Sequence, residues 1–237
     1  VIAFIAMLIA VPMSILAALA LTEYAPMRLR KPLTSLVDLL AAIPSLIYGL
    51  WGLFFLQEKL VPLAEWISSF FGWIPIFAVE GDQFTQSSFM AGVVVALMVL
   101  PVTTSVMREV FSQAPPGEKE AALALGSTRW GMIRTVVLPF GRGGIIGGSM
   151  LGLGRALGET IAVALIISPI FEINLNWLHT GSNSVASLIA LRFGEANESA
   201  LAALMAAGLS LFVLTLVVNM IASRIVSRSR SGSGVEL

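Results

Sequence analysis

The chain has 237 residues, of which 57% are hydrophobic and only 12% charged, and its mean hydropathy is +0.91. A soluble domain carries about 25% charged residues, so the composition is that of an integral membrane protein. A formal net charge of zero leaves no basic footprint for nucleic acid, and the lack of any cysteine excludes disulfides and thiol chemistry.

A bilayer-spanning helix needs about 20 mostly apolar residues, and five stretches reach that length. They are residues 1–22, 33–56, 88–107, 144–170 and 200–223. Long continuous apolar runs predict helices, because barrel strands would be shorter and alternating. The expected fold class is therefore all-α and polytopic. The chain opens on Val1 and is apolar at once, with nothing like a cleavable signal peptide. This predicts a start inside a longer protein.

The first connection carries Arg28, Arg30 and Lys31, and the second span opens beside Asp38, expected in an ion pair at the membrane rim. The connection over 57–87 holds Trp66, Phe70, Phe71, Trp73 and Phe77 near helical spacing, which predicts an interfacial helix. Docking of a substrate-carrying protein on this loop is the sharper alternative. The connection after span three holds Arg108, Lys119, Arg129, Arg134 and Arg142, and the tail after span five holds Arg224, Arg228 and Arg230. The other two loops hold one basic residue each, Lys59 and Arg192, beside acids that include Glu58, Glu65, Glu80, Asp82, Glu195 and Glu198. Lysine and arginine favour the cytoplasmic side. The N-terminus of this chain is thus expected outside and the C-terminus in the cytoplasm. Residues 1–226 form the expected membrane domain, and the Ser, Gly and Arg-rich residues 227–237 a flexible tail.

The loop over 108–143 reads PPGEKEAALALGSTRWGMIRTVVLPFGRGG at its centre. Pro115, Pro116 and Gly117 end one helix. Glu118 and Glu120 suit the positive start of the next. Ala121, Ala122 and Ala124 give that helix a slim face, Gly126 ends it, and Ser127 or Thr128 caps a second helix that Pro139 stops. The prediction is a protruding helical hairpin.

Span four contains Arg155 and Glu159, spaced to meet on one face of a continuous helix. An arginine near the bilayer centre costs about 2.5–3.5 kcal/mol on insertion scales, and a buried ion pair seldom stabilises more than apolar replacements do. A polar path through the bundle accounts for the charges better than stability. In that reading Arg155 is a transient anion contact, Glu159 orients its guanidinium, and the Thr160 hydroxyl adds a polar group. A bridge between helices or subunits, without substrate contact, is the alternative. Gly144, Gly148 and Gly152 recur every fourth position, as do Gly143 with Gly147 and Gly154 with Gly158, so backbones can pack closely there.

Glu120-Ala121-Ala122, then Gly126, then Val136, Leu138 and Pro139 resemble the EAA motif of ABC-importer permeases, EAA-x3-G-x9-I-x-LP, with Val136 in place of isoleucine. The runs GLGRALGETIAVALI, DLLAAIPSLIYGLWGL and ALMAAGLSLFVLTLVVN are similar to the phosphate-specific, PstC-type members. The resemblance covers most of the chain. It implies a sixth helix upstream, which this chain lacks, and a cytoplasmic coupling-helix hairpin that docks on a separate ATPase. It also implies a related second permease subunit, two copies of the ATPase, an extracytoplasmic phosphate-binding protein and a bacterial plasma membrane. The chain has no Gly-Lys pair and hence no P-loop. ATP and Mg are thus expected on the ATPase partners, with no cofactor, metal or catalytic residue in this subunit. The function implied is the permease of an ATP-driven inorganic phosphate importer. The alternatives are sulfate or molybdate as cargo, a secondary transporter working through Arg155 and Glu159, or a nontransporting scaffold.

Overall fold

The computed structural model describes residues 1–79, 84–170 and 176–230. Glu80, Asp82 and tail residues 231–237 lie outside them. The described residues are overwhelmingly helical, and two isolated bridges, Ser87 with Thr180 and Pro169 with Ser182, are the β pairings among them.

The chain begins with α1, Ile2–Leu19, which continues through a π-helical turn, Ala20–Tyr24. Ala25 and Pro26 are extended and end it. The second expected span, 33–56, is not one helix. α2, Met27–Ala42, stops at Ile43, which is extended, with φ −63° and ψ 130°. Pro44 follows, and a proline drives its predecessor out of the helical region. Tyr48 Oη bridges the break by donating to Leu40 O at 2.9 Å. α2 buries no residue, and the apolar crossing segment starts later. It runs through α3, Ser45–Trp51, a π turn, Gly52–Leu56, and α4, Gln57–Phe71, as one stretch of 27 residues. The aromatic residues expected on an interfacial loop helix thus lie largely on the continuation of a span. Trp66, Phe70 and Trp73 are exposed, while Phe71 and Phe77 join Trp177 and Phe4 in a chain of ring contacts.

α5, Ser88–Ser112, is the central helix. Ser87 caps it, its Oγ accepting from Met90 N at 3.3 Å. Most of its buried side chains form one apolar cluster with Ile2, Ala6 and Ala10 of α1 and with Val163 and Ile166 further along. Ser14 of α1 bonds to Thr103 Oγ1 and to Leu100 O of α5, so its hydroxyl is satisfied inside the bundle. Asp38, expected in an ion pair, instead accepts from Ser105 Oγ of α5 at 2.5 Å.

Between α5 and the next span stands the hairpin. It consists of α6, Pro116–Ala124, then α7, Arg129–Met132, a third π turn, Ile133–Val137, and α8, Leu138–Phe140. The helix carries past Pro139 to Phe140, and at Gly141 the chain bends by 67° into α9, Arg142–Gly158. The expected fourth span, 144–170, ends early. Glu159 is extended, and a short α10, Ile161–Ile166, resumes after it. Leu178 and the segment behind it tuck back against the bundle before α11, Val185–Arg192.

The last helix, α12, spans Glu198–Arg230. Residues 227–230, expected in the flexible tail, are helical. Among the described residues, four helical segments can cross a membrane by length and composition, or five if the bent hairpin–α9 pair counts as one span.

Candidate functional site: the interrupted helix and the hairpin

The glycines of α9 explain where its polar residues point. A Cβ on Gly144 would lie 2.5 Å from Val110 Cβ, and one on Gly152 would lie 2.5 Å from Thr103 Cγ2. Gly148 likewise faces Met107 and the Thr103 carbonyl. This stripe therefore packs against α5, since side chains there would clash. Around Gly143, Gly147, Gly154 and Gly158 a Cβ would meet nothing within 4 Å. The second stripe faces open space.

Arg155 stands beside that open space, half-buried in the last turn of α9. Cationic side chains suit the negative end of a helix. With Gly147, Met150, Leu151, Gly154, Asn219 and Ser223 it lines a cavity of about 570 Å³ between α9 and α12. Glu159 is buried and has a different setting. Its Oε1 accepts from Ala162 N at 3.1 Å and so caps the first turn of α10. It lines a second cavity of about 370 Å³ with Ser88, Ser182, Asn183 and Ser184. Thr160 Oγ1 donates to Gly158 O at 3.1 Å across the break.

No ion pair joins Arg155 to Glu159. The expected pairing required helix to continue from 155 to 159, and the chain leaves the helix at Gly158. The unwound residues Glu159 and Thr160 turn the carboxylate toward α5 and α10 instead.

The hairpin is closed by local chemistry. Gly126 has φ +87°, Ser127 N bonds to Ala122 O at 3.2 Å, and Gly126 N to Leu123 O at 3.0 Å. These two bonds form a Schellman C-cap. Thr128 Oγ1 accepts from Gly131 N at 3.1 Å and starts α7. Glu120 and Ala121 are exposed, as are Ala124, Leu125, Trp130 and Pro139. Ala122 and Leu138 pack inward on the cluster of Met132, Ile133 and Val137, with Val136 half-buried. The slim outer face is therefore built from Ala121 and Ala124, without Ala122. Two contacts tie the hairpin to the end of α1. Lys119 Nζ lies 2.6 Å from Glu23 Oε1, and the Arg129 guanidinium stands 5.6 Å from the centre of the Tyr24 ring.

Residues 10–231 match the family described as binding-protein-dependent transport system inner membrane component. The chain belongs to that family. This permease chain is 44% identical over 230 residues to the phosphate transport system permease protein PstC 2 of Mycobacterium bovis, covering 96% of this chain and 71% of that one. It is 45% identical over 238 residues to the phosphate transport system permease protein PstC of Pasteurella multocida, covering 98% and 73%. Its fold matches a crystal structure of a bacterial ABC transporter that imports the acidic polysaccharide alginate, with a TM-score of 0.67 and 20% identity. That match covers 96% of this chain and 76% of the other. The permease is thus a multi-pass membrane protein with the fold of ABC-transporter membrane subunits.

Sequence reasoning missed several polar residues of the two cavities beside Arg155 and Glu159. Ser88 donates to Ser182 Oγ at 2.7 Å, and Asn183 Oδ1 is buried without a hydrogen-bond partner. The Gly181-Ser182-Asn183-Ser184 run resembles any polar turn, and only its tucked position makes it part of a cavity. Asn219 carried a clearer signal, as a carboxamide within the apolar run LVVNMI.

Proposed function

We propose that the chain is the transmembrane permease subunit of an ATP-driven importer of inorganic phosphate. The observation that carries the reading is the interruption of an otherwise apolar crossing helix beside Arg155, which lines an open cavity. Broken helices within a membrane are tolerated where they line a cavity, and intramembrane charges mark substrate routes. The cargo follows from the relatives, which are named for phosphate transport and share close to half of this sequence.

In this reading Arg155 meets the oxyanion in passing. Guanidinium stays charged at any working pH and presents a planar fork to phosphate oxygens. A pathway needs contacts weak enough to release the ion, and the half-exposed setting of Arg155 suits that. Glu159 holds the interruption open by capping α10, and Thr160 secures the same turn. The exposed face of the hairpin, with Glu120, Ala121 and Gly126 on α6 and its cap, and Val136, Leu138 and Pro139 shaping the second arm, docks on a separate ATPase subunit. That subunit binds ATP and Mg. A related second permease completes the pathway, and an extracytoplasmic binding protein delivers phosphate. The hairpin faces the cytoplasm, with the arginines of the first connection and the tail on the same side.

The test is phosphate uptake into proteoliposomes holding the whole transporter, wild type against Arg155→Gln, with ATP hydrolysis measured in parallel. Loss of one charge-assisted hydrogen bond of about 1.5–3 kcal/mol corresponds to roughly ten- to hundred-fold slower uptake, with assembly and hydrolysis retained. Unchanged uptake would place the anion contact elsewhere. Uptake that sulfate or molybdate outcompetes would reassign the cargo.

A further inference from the structure

A second polar site lies away from the interrupted helix, where the end of α1, α2, α5 and the hairpin helix α6 converge. It is a cavity of about 200 Å³. At about 30 Å³ per water, this holds several waters or one tetrahedral oxyanion with part of its hydration. Arg30, Arg108 and Lys119 all line it, and Glu23 is the single carboxylate among the lining residues. The cavity thus has two more cationic than anionic side chains.

The pairing inside the cavity is incomplete. Lys119 is bound to Glu23 at 2.6 Å. Arg108 reaches Thr34 Oγ1 through one terminal nitrogen at 3.4 Å, a long bond, while its Nε is buried with no partner at all. Arg30 uses its Nε on Ala25 O at 3.1 Å, which leaves its terminal nitrogens for another acceptor. Buried N–H groups are nearly always satisfied in native proteins. Like charges around a small cavity repel one another, and an anion among them reverses the sign of that interaction. The Thr34 hydroxyl adds a donor of the kind that accompanies arginine at phosphate groups, whereas Ser112 Oγ already donates to Glu109 O at 2.7 Å.

We propose that this cavity binds a phosphate-type oxyanion, bridged by Arg30 of α2, Arg108 of α5 and Lys119 of α6. The occupant is either free inorganic phosphate or the phosphate of an anionic lipid headgroup, since both present the same oxygens. α2 and α5, already joined by Asp38 with Ser105 and by Arg108 with Thr34, are then fastened to the hairpin helix α6 through one ligand. The site is separate from Arg155, and its existence does not depend on what the protein transports.

The assembled transporter, in nanodiscs of phosphatidylcholine alone, is titrated with radiolabelled inorganic phosphate. In a second arm, transporter purified from nanodiscs containing phosphatidylglycerol is examined by native mass spectrometry for retained lipid. Each arm compares wild type with Arg108→Gln, Arg30→Gln, Arg108→Lys and Arg155→Gln. Losing one charge-assisted contact predicts roughly tenfold or more weaker binding in Arg108→Gln and Arg30→Gln. Arg108→Lys retains part of it, and Arg155→Gln leaves this site unchanged. Saturable phosphate binding with that pattern identifies free phosphate as the occupant. Retained phosphatidylglycerol that Arg108→Gln loses identifies the lipid. The proposal is overturned if both arginine-to-glutamine variants bind phosphate and lipid as wild type does. It is equally overturned if Arg155→Gln alone abolishes binding. Failure of phosphate uptake with binding intact here would count against the transport reading and not against this site.

Discussion

Arg155 and Glu159 line different cavities although only four positions separate them in the chain. The helix that would have set them side by side ends between them. Their roles are therefore separable. A double-mutant cycle of Arg155→Gln and Glu159→Gln should be additive within about 0.3–0.5 kcal/mol, as for residues with no shared partner. The exchanged pair, Arg155→Glu with Glu159→Arg, should fail to restore uptake. Rescue by the exchange would mean that the two side chains meet during the transport cycle.

The carboxylate of Glu159 acts here as a cap on α10 through Ala162 N. Glutamine retains an oxygen acceptor at the same place, and alanine does not. Glu159→Ala should cost about 1 kcal/mol, the usual worth of a helix cap, whereas Glu159→Gln should be milder. Thermal unfolding of the purified transporter separates the two. Equal losses would show that the negative charge, and not the cap, is what matters.

The two glycine stripes of α9 should respond in opposite ways. Gly152→Val drives carbon into Thr103 and Val99, with the first added atom already 2.5 Å from Thr103 Cγ2. Overpacking of this kind costs about 1–3 kcal/mol. Gly154→Ala meets nothing within 4 Å, and in a helix interior alanine gains about 0.5–1 kcal/mol over glycine. A stable Gly154→Ala transporter with slowed uptake would then trace the defect to the cavity beside Arg155. Equal destabilisation by both substitutions would contradict the packing described for α9.

Gly126 closes α6 at φ +87° in open surroundings. An alanine there meets no neighbour but enters the left-handed region, at roughly 1–2 kcal/mol. Gly126→Ala should fray the turn between α6 and α7 while leaving the membrane helices intact. ATP hydrolysis that persists with reduced uptake per ATP is the expected signature. Unchanged coupling would mean that the hairpin tolerates a looser turn.

Much of this architecture was legible in the chain. Residues 1–22, 88–107 and 200–223 read as spans because nothing in them interrupts the apolar run, and helices cover each of them. The hairpin announced itself through Pro116, Gly126 and Thr128, residues whose backbone or side-chain chemistry sets a helix end. The breaks were harder to see. Pro44 reads equally well as a kink, and only the departure of Ile43 from the helical region makes it a boundary. At Glu159 the one mark of the exit is Gly158, which does not stand out in a helix that already holds several glycines, so a spacing rule for continuous helices put two charges together that the fold keeps apart. The glycine stripes share one spacing, and α5 alone decides which of them is packed.

Three π turns among the described residues, Ala20–Tyr24, Gly52–Leu56 and Ile133–Val137, each hold one residue more than regular winding would. In the last, Leu138 N reaches back five residues to Ile133 O, immediately before Pro139, which has no N–H to offer. Removing one residue from such a turn lets it heal into ordinary helix, and everything downstream rotates by about 100°, the angle of one helical residue. The hairpin's second arm thus works like a screw thread with a spare notch. Its direction relative to α9 can be reset in single steps of chain length, without melting a helix.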